Sequence, residues 1–332
     1  MSSYIPLSHR EQWADITPIP QDDGPDPLVP IMYSTEYRDA MDHFRAISLA
    51  KEHSERALEL TEAIIRMNPA HYTVWQFRMA TLLALNKDLE TELELMNEFA
   101  RENLKSYQVW HHRLLLLTEI SPQSPSKEID YIHDSLLPDP KNYHTWAYLH
   151  WLYSHFSSLG RISEADWDRE VRWCEEMLRT DGRNNSAWGW RWFLMMSRPG
   201  GKGTQDGGKG EITYALKAIH LIPHNVSAWN YLRGILTHFK LPLAPLSPAV
   251  VPYTEGSTAF APVDSSSFDF PLPSVPLPAH TPLPVPLALE FQADALAEQR
   301  RTGEASAIFA ELSQQFDRMR AGYWEYRRRA CE

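Results

Sequence analysis

Apolar and aromatic side chains along this chain fall at helical spacing, lapse, and then begin again with nearly the same phrase. Tyr72-Thr-Val-Trp75-Gln-Phe-Arg78 is followed by Tyr107-Gln-Val-Trp110-His-His-Arg113 and Tyr143-His-Thr-Trp146-Ala-Tyr-Leu149. Looser copies stand at Asn185-Ser-Ala-Trp188-Gly-Trp-Arg191 and Val226-Ser-Ala-Trp229-Asn-Tyr-Leu232-Arg233, with a distant one at Tyr323-Trp324-Glu-Tyr-Arg327. The tyrosine, tryptophan and arginine of each phrase occupy i, i+3 and i+6, one stripe of a 3.6-residue helix. Successive tryptophans from Trp75 to Trp229 lie 35, 36, 42 and 41 residues apart. Recurrence at that period predicts stacked helical hairpins, an all-α fold of the α-α superhelix type with the outline of a crescent. The tryptophans are expected as core between neighbouring repeats and the arginines as partners of nearby carboxylates. The run Leu82, Leu83 and Leu85 reads as core as well.

Outside the repeats the pattern changes. Residues 1–34 read as an extended arm, because the prolines at 18, 20, 25, 27 and 30 exclude helix there. The arm carries Trp13, Ile16, Ile19, Val29 and Ile31, too apolar for a solvated tail, so a groove is expected to hold it. From residue 35 to the end the chain reads as a helical-repeat solenoid. Tyr37 to Met67 divides into two amphipathic segments with Leu58, Ile64 and Ile65 toward the core, and Asn68-Pro69 closes the second. Arg198-Pro199 ends another helix, and a glycine-rich loop follows as far as Gly210. Residues 241–286 are rich in proline and read as an insertion pinned against this chain or a partner, after which helix resumes near Leu287.

Composition narrows the function. The chain has 332 residues, 43% of them hydrophobic, enough for a sizeable core, and carries a formal charge of −11. An acidic chain lacks the attraction to phosphate backbones on which nucleic-acid binding leans. No apolar leader and no run of about 18 apolar residues occurs, which predicts a cytoplasmic protein. The cysteines, Cys174 and Cys331, supply no disulfide framework. Gly203-Thr-Gln-Asp-Gly-Gly208-Lys209-Gly210 nearly spells a phosphate-binding loop, but no strand precedes it and Gly210 stands where a magnesium-binding hydroxyl belongs. His111 and His112 are adjacent on a helix, point about 100° apart, and cannot share a metal. More informative are Lys105-Ser106-Tyr107-Gln108 and Asn142-Tyr143-His144, just ahead of repeated helices. Ser106 and Asn142 are candidate N-caps, and a lysine beside a helix N-terminus favours an anion. Stacking places Lys105, Tyr107, Tyr143 and His144 along one edge of the concave face.

The sequence resembles the α subunit shared by protein farnesyltransferase and type I protein geranylgeranyltransferase. Asp15-Ile-Thr-Pro-Ile-Pro-Gln-Asp-Asp-Gly-Pro25, Asn68-Pro-Ala-His-Tyr-Thr-Val-Trp75, Lys105-Ser-Tyr-Gln-Val-Trp-His-His-Arg113, Asn184-Asn-Ser-Ala-Trp188 and Pro223-His-Asn-Val-Ser-Ala-Trp-Asn-Tyr-Leu232 carry the likeness. The resemblance implies a heterodimer with a β subunit that holds zinc and most of the isoprenoid pocket, with magnesium as a further cofactor. Farnesyl or geranylgeranyl diphosphate and CaaX-containing proteins such as Ras-like GTPases would be the substrates. It implies that zinc lowers the pKa of the substrate cysteine, whose thiolate attacks C1 of the isoprenoid diphosphate. Lys105 matches the family's catalytic, diphosphate-contacting lysine. Tyr107, Tyr143 and His144 match positions on the isoprenoid diphosphate side, and Gln108 and Tyr72 match positions that bind the CaaX peptide. This chain by itself would bind no metal.

Two departures stand out. Ser106 replaces a usual asparagine, an exchange expected to be nearly neutral at an N-cap. Tyr148-Leu149 replaces the usual His-Arg pair, which puts the ion pair of the third repeat in doubt. The rival readings are the α subunit of Rab geranylgeranyltransferase and a non-catalytic TPR-like scaffold. Gln108 and the N-terminal arm speak against the first. Spacing that reaches 42 residues, with a tryptophan leading each helix, speaks against the second.

Overall fold

Helix starts are written plainly into the sequence. The side chains of Ser34, Ser54, Asp88, Asn142, Ser163, Asn184 and Asn225 each accept a backbone N–H of the helix they precede. The computed structural model describes residues 4–262 and 276–331, and among these there is no strand. The chain divides into two compact units, Met1–Ile162 and Ser163–Glu332.

The first unit holds α1 (Thr35–Leu49), α2 (Glu55–Met67), α3 (Tyr72–Ala84), α4 (Leu89–Glu102), α5 (Tyr107–Ile120), α6 (Ser126–Leu136) and α7 (Tyr143–Ser158). Hairpins α2–α3, α4–α5 and α6–α7 are the repeats, and α3, α5 and α7 pack side by side. Ahead of them, residues 4–19 lie on α1 and α2. Two 3-10 turns, Leu7–His9 and Glu11–Trp13, interrupt what the prolines suggested was an extended arm. Trp13 is buried, edge-on to His43 and beneath the Arg56 guanidinium, while Arg56 also forks onto Asp15. Leu28, Val29 and Met32, farther along, are almost wholly exposed.

The second unit holds α8 (Glu164–Thr180), α9 (Asn185–Ser197), α10 (Lys209–Leu221), α11 (Val226–His238), the one-turn α12 (Ser247–Val250), α13 (Pro286–Glu298), α14 (Thr302–Glu311) and α15 (Ala321–Arg329). Described parts of the proline-rich stretch are packed on this unit. Leu246, Val250 and Tyr253 are buried, Ser247 donates to Gln292, and Glu311 accepts from Ser257, Thr258 and Ala259. Residues 263–275 of that stretch lie outside the described residues. The glycine loop binds its own carboxylate, since Asp206 accepts the N–H of Gly208 and Gly210 at the start of α10. An anion has no place there.

Two devices hold the repeats. The indole Nε1 of Trp75, Trp110, Trp146, Trp188 and Trp229 donates to the carbonyl six residues upstream, at Pro69, Leu104, Pro140, Gly182 and Pro223, over 2.8–3.0 Å. The N-cap of the following repeat reaches back to the same oxygen: Asn142 to Leu104 and Asn225 to Gly182. One carbonyl thus ties its own helix to its neighbour. The second device is a buried glutamate on each of α4, α6, α8 and α10. Arg78 grips Glu92, Arg113 grips Glu128 and Arg191 grips Glu211, each through two parallel N–H donors. Twenty residues after each glutamate, the second helix of the same hairpin adds a donor: His112 to Glu92, Tyr148 to Glu128, Trp190 to Glu170 and Tyr231 to Glu211.

Two expectations change and one doubt is borne out. Leu83 is about half exposed rather than core. Ser106 sits at the N-cap of α5 but accepts no backbone N–H; its hydroxyl lies 3.4 Å from both the Pro69 carbonyl and Gln108 Oε1. A hydroxyl is shorter than the asparagine amide, so it cannot cap and reach back at once. At the third repeat Tyr148 serves Glu128 through its phenol, while the buried Leu149 brings no cation. Replacing Arg113 with methionine leaves Glu128 buried with only Tyr148 of these two partners, and should cost about 3–5 kcal/mol in urea unfolding; a loss under about 1 kcal/mol would mean the charge is not held as described.

Candidate functional site

The starts of α3, α5 and α7 leave large polar aromatics in the open. Tyr72, Tyr107 and Tyr143 are each about two-thirds exposed or more, although a tyrosine without a partner ordinarily buries much of its ring. The reason is local. In each phrase the tryptophan faces inward to the carbonyl six residues upstream, in α3 and α5 the arginine faces a buried glutamate, and the tyrosine one turn before the tryptophan stands at the rim.

The structure brings most of the candidate residues together in two neighbouring groups. Tyr107 stands edge-on to His144, ring centroids 4.2 Å apart, and 6.4 Å from Tyr143. Lys105 follows the shared Leu104 carbonyl. Its ammonium lies 4.0 Å from Asp139 Oδ2, and its side chain is 81% exposed, so that pairing is weak and the charge is presented to solvent. Lys105, Tyr107 and Gln108 line a shallow hollow of about 660 Å³. Gln108 also faces the other way, into a groove of about 500 Å³ between α3 and α5, with Tyr72 on the opposite wall. Gln108 therefore joins the hollow to the groove. Burial lowers the His144 imidazole below its usual range, so it stands neutral beside Tyr107 at physiological pH.

Reading the repeats as core concealed part of the groove. Tyr72, Gln76, Met79 and Leu83 line it from α3, and Gln108, His111 and Leu115 from α5. The signal was present, because 72, 76, 79 and 83 form a helical stripe separate from the one through Trp75 and Arg78. Asp139 was missed because nothing local marks an acidic residue three positions before an N-cap. Among the described residues no group of three or more His, Cys, Asp or Glu side chains could hold a metal ion, and no helix is long and apolar enough to cross a membrane.

The groove floor is held by the first buried glutamate. Burial pushes the Glu92 carboxyl up, but hydrogen bonds from His112 and Arg78, with the Arg78 charge, outweigh it and bring the carboxyl down to about 2. Burial lowers the His112 imidazole, which donates from Nε2 to Glu92. A depressed carboxyl contributes stability that is full above its ordinary value of 4.5 and is lost as pH falls toward 2. The neutral histidine adds a loss in the same direction below 6.5. Acid unfolding followed by tryptophan fluorescence should therefore be less steep between pH 4.5 and 2 in Glu92→Gln; an unchanged curve would remove Glu92 from the acid response.

Comparison with known proteins follows the same repeats. The family model described as Protein prenyltransferase alpha subunit repeat matches residues 54–85, 89–120, 125–156, 167–198 and 209–239, one hairpin each. The "Protein farnesyltransferase/geranylgeranyltransferase type-1 subunit alpha" of Pisum sativum is 40% identical over 231 residues, 70% of this chain and 67% of that protein. The counterpart in Arabidopsis thaliana is 41% identical over 231 residues, 70% of this chain and 68% of that protein. The solved structure of Candida albicans protein geranylgeranyltransferase-I complexed with GGPP superposes over the whole of both chains with a TM-score of 0.82 and 28% identity. The human "Geranylgeranyl transferase type-2 subunit alpha" matches less, at 30% identity over 145 residues and 20% of its length.

Proposed function

The chain belongs to the protein prenyltransferase alpha-subunit family, and from that premise we propose how its exposed helix starts serve the transfer reaction. It is the α subunit of a heterodimeric prenyltransferase of the farnesyltransferase/geranylgeranyltransferase type-1 kind, active with its β subunit, which attaches an isoprenoid to the cysteine of a C-terminal CaaX motif. The shorter match to the type-2 subunit leaves the Rab-directed reading behind.

Lys105 is the residue to which we assign the chemistry. Breaking the C1–oxygen bond of a prenyl diphosphate leaves negative charge on the departing diphosphate, and a cation already aimed at that charge lowers the barrier. Lys105 suits this because its amine is exposed beside an aromatic wall, held only loosely by Asp139. Tyr107, Tyr143 and His144 supply the wall and, through phenol and imidazole, hydrogen bonds to the same anion. Gln108 and Tyr72 face each other across the groove, where an amide can bond a peptide carboxylate and a phenol can pack against its last side chain. The single observation that carries this reading is that Gln108 borders both the Lys105 hollow and the Tyr72 groove. The two substrates would thus meet at one edge.

Zinc has no fitting ligand set among the described residues of this chain, so we assign it to the β subunit and derive no step through it. Magnesium is proposed as an ion accompanying the diphosphate, and Ras-like GTPases as the protein substrates. The absence of a membrane-crossing helix among the described residues suits a cytoplasmic enzyme that meets its substrates before they acquire an anchor.

In the heterodimer, Lys105→Ala should lower kcat on the order of a hundredfold with assembly intact. Gln108→Ala should raise the KM of the CaaX peptide and leave that of the isoprenoid diphosphate unmoved. A Lys105→Ala enzyme of normal rate, or a Gln108→Ala enzyme altered only toward the diphosphate, would overturn these assignments.

A further inference from the structure

Asn142 is 2% exposed, and its amide makes every hydrogen bond that an asparagine side chain can make. Oδ1 accepts the N–H of His144 at 2.9 Å and of Thr145 at 3.1 Å. Nδ2 donates to the Leu104 carbonyl at 3.2 Å and to Asp139 Oδ2 at 3.3 Å. Those four bonds reach three places that matter to one site. The first pair fixes the start of α7, where Tyr143 and His144 project. The third holds the peptide unit immediately before Lys105, whose carbonyl Trp110 also engages at 2.9 Å. The fourth falls on the carboxylate oxygen nearest the Lys105 ammonium. Two oxygens facing Nδ2 and two N–H groups facing Oδ1 admit only one orientation of the amide.

We infer that Asn142 is a positioning residue for prenyl-diphosphate binding, setting Lys105 in register with Tyr143 and His144 and holding Asp139 beside the lysine. The inference rests on the reading that Lys105 contacts the diphosphate. Asn142 is buried, so it acts through the groups it holds, and a change that keeps the α7 cap acts through Lys105. Ser106 occupies the corresponding place one repeat earlier and lies 3.4 Å from its carbonyl without capping. The Asn142 arrangement is therefore not something every repeat requires.

The test uses the assembled heterodimer, a fluorescent farnesyl diphosphate and a CaaX peptide. Asn142→Asp keeps the acceptor for α7 but has no donor for Leu104 or Asp139, and should lower kcat/KM for the diphosphate about tenfold. The peptide KM should not move. In a Lys105→Ala background the same change should cost little more, because both substitutions remove one interaction. Asn225→Asp likewise keeps the cap and removes the equivalent donor in the other unit and controls for damage to the fold. Asn142→Ser, copying Ser106, retains a small hydroxyl should Asn142→Asp fail to assemble, and should show an intermediate loss. Losses that multiply in the double variant, or that Asn225→Asp reproduces, would reduce Asn142 to a structural residue. A normal rate for Lys105→Ala alone would instead overturn the underlying reading and the inference with it.

Discussion

A backbone carbonyl in the turn between two helices carries more of this fold than any side chain does. Six residues later a tryptophan indole donates to it, and at Leu104 and Gly182 the N-cap asparagine of the next repeat donates as well. An unmade bond to a buried carbonyl costs about 1–3 kcal/mol, so the turn, the tryptophan and the next helix start constrain one another. The repeat length can then vary, from 35 to 42 residues between tryptophans, because the constraint acts at the turn and not on the length of the helices. Much beyond the tryptophan follows in register: Arg78, Arg113 and Arg191, one turn later, meet buried glutamates, and Tyr72, Tyr107 and Tyr143, one turn earlier, are left at the rim.

The rim is where the proposed function gathers. The helix starts of α3, α5 and α7 each present a tyrosine, and the proposed site lies where these neighbouring repeats differ. Lys105 appears after one shared carbonyl, His144 after one N-cap, and Gln108 between a hollow and a groove. The same scaffold in the second unit places Gly182 and Pro223 at the carbonyls that tryptophans engage. The repeats thus supply rigid placement, and the departures from the repeat supply chemistry.

Much of this was legible in the amino-acid order, and the illegible parts have physical reasons. Periodic tryptophans located the hairpins, and the phrases around Lys105, Gln108 and Asn142 located the candidate site. The buried glutamates were not individually legible, because Glu92, Glu128 and Glu211 sit among many exposed acids and only three-dimensional packing distinguishes them. Leu83 was misassigned because a helix can carry two apolar stripes, one to the core and one to a groove. Ser106 was read as a cap from residue type alone, whereas capping also depends on what else the side chain must reach. Residues 241–262 hold short turns and buried side chains where proline density had given no such detail, since Val250 is buried and Tyr253 is held by His220, far off in the chain.

Co-expression of this chain with a prenyltransferase β subunit, followed by transfer of a fluorescent farnesyl group to a CaaX peptide, tests the shared-site account most directly. The account predicts transfer by the pair and none by either chain alone. A stable pair that transfers nothing, or transfer by the β subunit without this chain, would contradict it.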